Sequence, residues 1–354
     1  MSASIVRSCA FAQQMTLMTL RTCATSVYHV SKRNYDQYRM KYLREMYKRR
    51  LEVGPEKERR RSEWINWNYD SEIFAFGKRL GEEFNETTIK QAFIHSSYVE
   101  KERAKRAELG LNLKDLTFDL EDNSELAEKG SDLISNYVKV YLRNMYPYFF
   151  EEGICAIHNY LVSESMLSHI AKHIGCGDLI LSEDFPVLPS TLSQTFKAVV
   201  GAVLKDRGQE KAETFVRDFV LPQLISKDIN ELWEVVNPMG LLTAVLALIG
   251  KGPPEPRLLW KSGANTIMAL YWVGIYSDKQ LLAKSPGETV TIAEEMAARE
   301  ALKKLMKTED SRSPLILGRM ADNLKLDYKK VNMSAAEVLK NYYSQLKKQN
   351  TASA

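Results

Sequence analysis

The sequence has no apolar run long enough to cross a bilayer. Its richest stretch, GLLTAVLALIG at 240–250, ends after eleven residues, short of the ~18 that a spanning helix needs, so no membrane span is expected. Cysteine is scarce as well. Cys9 and Cys23 lie near the N-terminus, and Cys155 and Cys176 lack CxxC spacing, so neither a zinc site nor a disulfide framework is expected. No acidic residue precedes Asp36, whereas Arg7, Arg21, Lys32, Arg33 and many hydroxyl residues do. That composition fits an amphipathic organelle-import presequence over 1–33, read as mitochondrial; a plain disordered N-terminus is the alternative. A large charge surplus is also missing. The formal net charge is +4, and cleavage near Arg33 would remove all of it. Proteins held to nucleic acid mainly through phosphates usually carry a large positive surplus, so any RNA contact here must come from local patches.

What is present suffices for two modest globular domains plus extensions: 354 residues, 45% hydrophobic and 10% aromatic. Residues 33–62 hold eleven Lys/Arg against five Asp/Glu, interleaved with Tyr35, Tyr38, Tyr42 and Tyr47. A helix ending near Val53, before the breaker VGPE, would expose a basic face with aromatic rings. Such a face either contacts RNA or is simply solvated. From Trp64 to about 235 the period is helical, as in Ile73, Phe76, Leu80 and in Leu192, Phe196, Val199, Val203. The charged stretch 101–122 reads as an insertion. After NPMG (237–240) the pattern becomes helix, strand-like RLLWKSG, alternating IMALYWVGIY, a turn at SDKQ, strand-like LLAKS, and a helix from Thr291 to Met306. This α-β-β-β-α order describes a small sandwich of two helices on one sheet face. A tail helix follows, capped by Ser334 and carrying Ala336, Leu339, Tyr343 and Leu346. The expected boundaries are 1–33 presequence, 34–63 basic extension, 64–235 helical domain, 236–307 α-β-β-β-α domain and 308–354 tail.

Specific residues in this order resemble the ribonuclease III family, in which a nuclease domain precedes a double-stranded RNA-binding domain. FGKRLGEEFNETTIKQAFIHSSY (76–98) looks like the family's opening helices, ending in a His-x-Ser element at His95 and Ser97. NSELAEKGSDLI (123–134) is similar to the signature Asn-Glu-Arg-Leu-Glu-Phe-Leu-Gly-Asp, with Asn123, Leu126 and Gly130 in register. TLSQTFKAVVGAVLKD (191–206) is similar to the second active-site helix through Ala198, Gly201, Ala202 and Leu204, and AEEMAAREALKKL (293–305) resembles the last helix of the RNA-binding module. The fold implied is a mainly α ribonuclease III-like domain followed by an α+β double-stranded RNA-binding domain. Within the family, the likeness is to the type found in the large subunit of the mitochondrial ribosome. That implies a structural role in the mitochondrial matrix, with large-subunit rRNA, neighbouring ribosomal proteins and a ribonuclease III-like protein as expected partners. A mitochondrial double-stranded RNA endonuclease is the competing reading.

The resemblance also implies where chemistry should be. Family enzymes hold metal ions on carboxylates, two on the signature helix seven residues apart and two on the second helix three apart, spacings that turn each pair toward one point. In the matched register those places are Ser124 and Ser131, and Gln194 and Lys197, while the signature's other Glu becomes Ala127. Glu125, Glu128 and Asp132 keep an i, i+3, i+7 spacing one residue on, but that rotates them ~100° about the axis. No Asp or Glu lies between Asp184 and Asp206, so the second helix supplies no half-cage in any nearby register. The expectation is a pseudoenzyme without catalytic residue, metal or cofactor. His169 and His173 stand i, i+4 but lack a third ligand. In the second module, the family's phosphate-gripping lysines are replaced by Val290, Thr291 and Ile292, and its loop by Gly263, Ala264, Asn265 and Thr266. Ile292 suits either a protein contact or core packing. The expected RNA contacts are Lys41, Arg44, Lys48, Arg49, Arg50, Arg59, Arg60 and Arg61 of the arm, with Lys303 and Lys304.

Overall fold

The computed structural model describes residues 42–54, 58–109, 120–225, 227–263, 266–312 and 314–352. The presequence, Lys41, Ala264 and Asn265 lie outside them. The chain divides into two units, Met1–Glu63 and Trp64–Ala354. In the first, helix α1 spans 42–53 and ends on Val53, the first residue of VGPE.

The second unit opens with helices α2 (Tyr69–Leu80), α3 (Glu86–Phe93) and α4 (Ser96–Glu108). Asn68, Asn85 and His95 cap them, each side chain accepting from a backbone N–H two or three residues on, which satisfies donors that a helix start leaves free. The stretch read as an insertion from 101 is helical up to Glu108, because α4 simply continues. Next come α5 (Ser124–Met145), α6 (Glu151–Leu161), α7 (Glu164–Ile174), α8 (Pro189–Arg207), α9 (Gln209–Phe219) and the short α10 (Ile229–Leu232). Ile134, Leu142, Ile154, Leu161, Phe196 and Val203 are fully buried between them, and Phe76 meets Phe93 edge-on at 5.3 Å. The helical period from Trp64 thus marks the face each helix turns inward.

The α-β-β-β-α order is as expected. Helix α11 (Pro238–Ile249) precedes strands β1 (Glu255–Ser262), β2 (Leu270–Ser277) and β3 (Gln280–Gly287), paired antiparallel in the order β1-β2-β3, and α12 (Val290–Met306) follows. Asp278 and Lys279 join β2 to β3 with φ of 49° and 66°, the left-handed pair of a two-residue hairpin turn. Val273, Ile275 and Ala283 form the inner sheet face, and α12 packs on it through Ala293, Ala297, Ala298 and Ala301.

Beyond Lys307 the chain returns to the helical part. Tyr141 Oη donates to Ile316 O, Arg217 pairs with Asp322 at 2.7 Å, and Asn332 donates to Tyr146 O and Phe149 O, each at 2.8 Å. The last helix, α13 (Ala335–Ala352), then packs on α11. Its inward face is Ala335, Val338, Leu339 and Tyr342, whereas Ala336 and Tyr343 are exposed. Of the expected stripe, Leu339 faces inward, whereas Ala336 and Tyr343 give way to their preceding neighbours Ala335 and Tyr342. The start of α13 is fixed by Glu152 of α6, which accepts from Ser334 Oγ, Ala335 N and Ala336 N, and this tertiary cap sets the rotation. Among the described residues no helix is long and apolar enough to cross a membrane.

Candidate functional site

Helices α5 and α8, the two that resemble the active-site helices, cross at Gly130 and Gly201. A Cβ on Gly130 would overlap the carbonyl oxygen of Lys197, and one on Gly201 would overlap that of Leu126. Backbone meets backbone, which only glycine permits. This crossing fixes the register. Leu126 is 2% exposed and Gly130 is buried, while Glu125, Glu128 and Asp132 face solvent. Glu125 takes an ion pair with Lys129 one turn on, and that bond holds its carboxyl below the usual range. The three acids with preserved spacing are therefore exposed rather than buried in the crossing.

Inside the pair the groups are neutral or cationic. Asn123 is fully buried; its Nδ2 donates to Ala92 O at 3.2 Å, and its Oδ1 accepts from Gln194 Nε2 at 3.0 Å. One amide bridge thus joins the two helices at the end where the family pattern sets carboxylates. Ala127 is buried, Ser131 and Lys197 are half-buried, and Ser124 is exposed with its Oγ on Asp122 at 2.7 Å. A hydroxyl, an amide and an ammonium do not hold a divalent ion, which needs anionic oxygens. Among the described residues no three His, Cys, Asp or Glu side chains cluster as metal ligands do. His169 and His173 stack edge-on, ring centroids 4.3 Å apart. Cys155 and Cys176 are free, and burial pushes the Cys176 thiol up to about 12, leaving it inert near neutrality.

The His-x-Ser element acts as a clasp. His95 Nδ1 lies 2.8 Å from Ser97 Oγ, Ser97 Oγ accepts from Glu183 N, and His95 N donates to Leu181 O. These bonds tie the α3–α4 junction to the segment that leads into α8.

The basic positions divide. Arg44, Lys48, Arg49 and Arg50 are exposed on α1, beside exposed Tyr42, Met46 and Tyr47. Arg59 and Arg61 are exposed and Arg60 is half-buried. Lys303 and Lys304 are engaged within the fold instead: Lys303 pairs with Glu300 at 3.1 Å, and Lys304 Nζ donates to Leu282 O at 3.1 Å. At the start of α12, Val290 is 36% and Ile292 44% exposed, so Ile292 is not core packing. The sequence reading missed the Asn123–Gln194 bridge and the Glu152 cap. Its only signal for the bridge was an amide, Gln194, at a family carboxylate position and another, Asn123, beside one; for the cap, 182 residues apart, it had none.

Comparison with known proteins follows this geometry. Residues 68–203 match the family model "Large ribosomal subunit protein mL44, endonuclease domain", and residues 233–339 match "MRPL44 dsRNA-binding domain". The large ribosomal subunit protein mL44 of Caenorhabditis elegans is 34% identical over 303 residues, covering 84% of this chain and 74% of that one. Ribonuclease 3 of Bacillus licheniformis is 27% identical, covering 66% of this chain and 89% of that one. Among solved structures, the nuclease domain of ribonuclease III from Campylobacter jejuni aligns with a TM-score of 0.34 at 23% identity, over 40% of this chain and 92% of that one.

Proposed function

Because this chain belongs to the family of the large ribosomal subunit protein mL44, we propose that it is a structural constituent of the mitochondrial ribosome's large subunit, a ribonuclease III fold kept as scaffold without its chemistry. The observation that carries this reading is the α5–α8 crossing. An amide bridge and Lys197 stand where a metal cage would need carboxylates, while Glu125, Glu128 and Asp132 face solvent. In this reading 64–235 and 236–307 are two domains, and 308–354 straps the second to the first. The acid-free N-terminus supports import into the mitochondrial matrix.

Arg44, Lys48, Arg49, Arg50, Arg59, Arg60 and Arg61 then contact rRNA as a basic arm, with Lys41 of the same run. Val290 and Ile292, exposed where related modules grip phosphates, favour neighbouring ribosomal proteins over duplex RNA. Several modest contacts presented together give a stable position in a particle. Sedimentation of the endogenous protein through a high-salt gradient tests the placement. It should travel with large subunits; a pool found only at the top of the gradient would overturn the reading.

A further inference from the structure

One cleft takes no part in that reading. It encloses about 580 Å³ where the end of α5 and the Pro147–Tyr148 turn meet the end of α12 and the first tail residues. Lys304, Lys307 and Arg312 line it against one carboxylate, Glu309, which accepts from Ser311 Oγ at 3.3 Å. The carbonyl end of a helix is by itself unfavourable to an anion. Here the two lysines, in and just beyond the last turn of α12, reverse that sign.

Three further details point to a ligand. Tyr148 is 57% exposed, with Lys307 Nζ 4.4 Å from its ring centroid. Lys307 has φ 55°, a left-handed C-cap conformation that glycine usually fills and that strains any other residue. Retaining lysine there sets a cation beside an exposed ring. Tyr146 is 7% exposed, its hydroxyl beside the Arg312 guanidinium and without an acceptor among the described residues. Burial raises its pKa, and the Arg312 guanidinium nearby opposes that rise. A ring to stack on, cations for a phosphate and a spare phenolic donor are together what a nucleotide requires.

We propose that this cleft binds an unpaired nucleotide of RNA, its base against Tyr148 and its phosphate between Lys307 and Arg312. The proposal rests on the chain working against RNA in the large subunit, but it names a surface separate from the basic arm. The test is fluorescence anisotropy on the full chain with a short single-stranded oligouridylate, a duplex RNA of the same length, and UMP. Lys307→Gly and Tyr148→Leu should each weaken single-strand binding about tenfold, the scale of one lost base stack, and leave duplex binding unchanged. Lys307→Gly should melt no lower than the parent, since glycine fits φ 55°. Ultraviolet cross-linking should place the oligonucleotide adduct on Tyr148. Unaltered single-strand affinity in both variants, or loss that only follows a lowered melting temperature, overturns the proposal. UMP binding as tightly as the oligonucleotide overturns RNA as the occupant in favour of a free nucleotide. Failure of co-sedimentation with large subunits, with these affinities as expected, removes the ribosomal reading and leaves the cleft.

Discussion

Gly130 and Gly201 show how single residues set this molecule's central geometry. Each stands where the other helix's backbone carbonyl leaves no room for a methyl group. Gly130→Ala or Gly201→Ala must push α5 and α8 apart and loosen the Asn123–Gln194 bridge. Each should cost about 3 kcal/mol, the upper part of the overpacking range, measured by urea denaturation. Glu152 is a second such residue. Burial pushes its carboxyl up, but bonds from Ser334 Oγ, Ala335 N and Ala336 N outweigh that and hold its pKa below the ordinary value. A depressed folded pKa gives stability that is present above the unfolded value of ~4.5 and is lost as pH falls through the folded one. Glu152→Ala should therefore cost about 1 kcal/mol at neutral pH, the scale of a lost helix cap, and the difference from the parent should shrink in acid. Melting temperatures across pH 3 to 7, about the range over which carboxylates titrate, check both statements.

At the scale of elements, α5 and α8 separate fold from chemistry. The apolar stripe and the glycines keep the crossing, while the polar positions beside it, Ser131, Gln194 and Lys197, are neutral or cationic. At ~4 Å and an effective dielectric of ~20, an ammonium such as that of Lys197 repels a divalent ion by roughly 8 kcal/mol as an upper figure. Duplex RNA with Mg²⁺ or Mn²⁺ should accordingly remain uncut, and the triple variant Glu125→Ala/Glu128→Ala/Asp132→Ala should behave as the parent does. Metal-dependent cutting abolished in the triple variant would establish the endonuclease instead. These residues show how much of the site could be read in advance. The close crossing at Gly130 and Gly201 was legible because α-helical spacing is regular and the glycines anchor the register. The engagement of Lys304 was not, because the Leu282 carbonyl of β3 meets it only after folding, whereas Lys303 pairs with Glu300 three residues back on the same helix, a spacing visible in the sequence.

For the whole molecule, the tail is the decisive part. Arg217, with 7% of its side chain exposed, is held by Asp218 of its own helix and by Asp322 of the tail. Removing one partner of a buried ion leaves part of its desolvation uncompensated. Asp322→Ala should cost about 2 kcal/mol, less than a lone buried pair would, since Asp218 remains. Ending the chain after Lys307 should do more. Ile316 O, the Asn332 amide and the apolar face of α13 would all be withdrawn, and the melting temperature should fall by several degrees, about 4 °C for each kcal/mol or less in a chain of this size. Calorimetry of the truncated and full chains compares the two directly.

The sequence by itself determined the element order, the inward faces of most helices, the small antiparallel module and the lack of any carboxylate on α8 before Asp206. Each of these follows from local spacing and residue type, which act within a few turns of chain. Tertiary structure alone decided the rotation of α13, the amide bridge between α5 and α8, the engagement of Lys304, and the cleft at Tyr148. Each depends on partners scores of residues apart or on different elements, and their meeting depends on how whole elements pack rather than on any pattern within one of them.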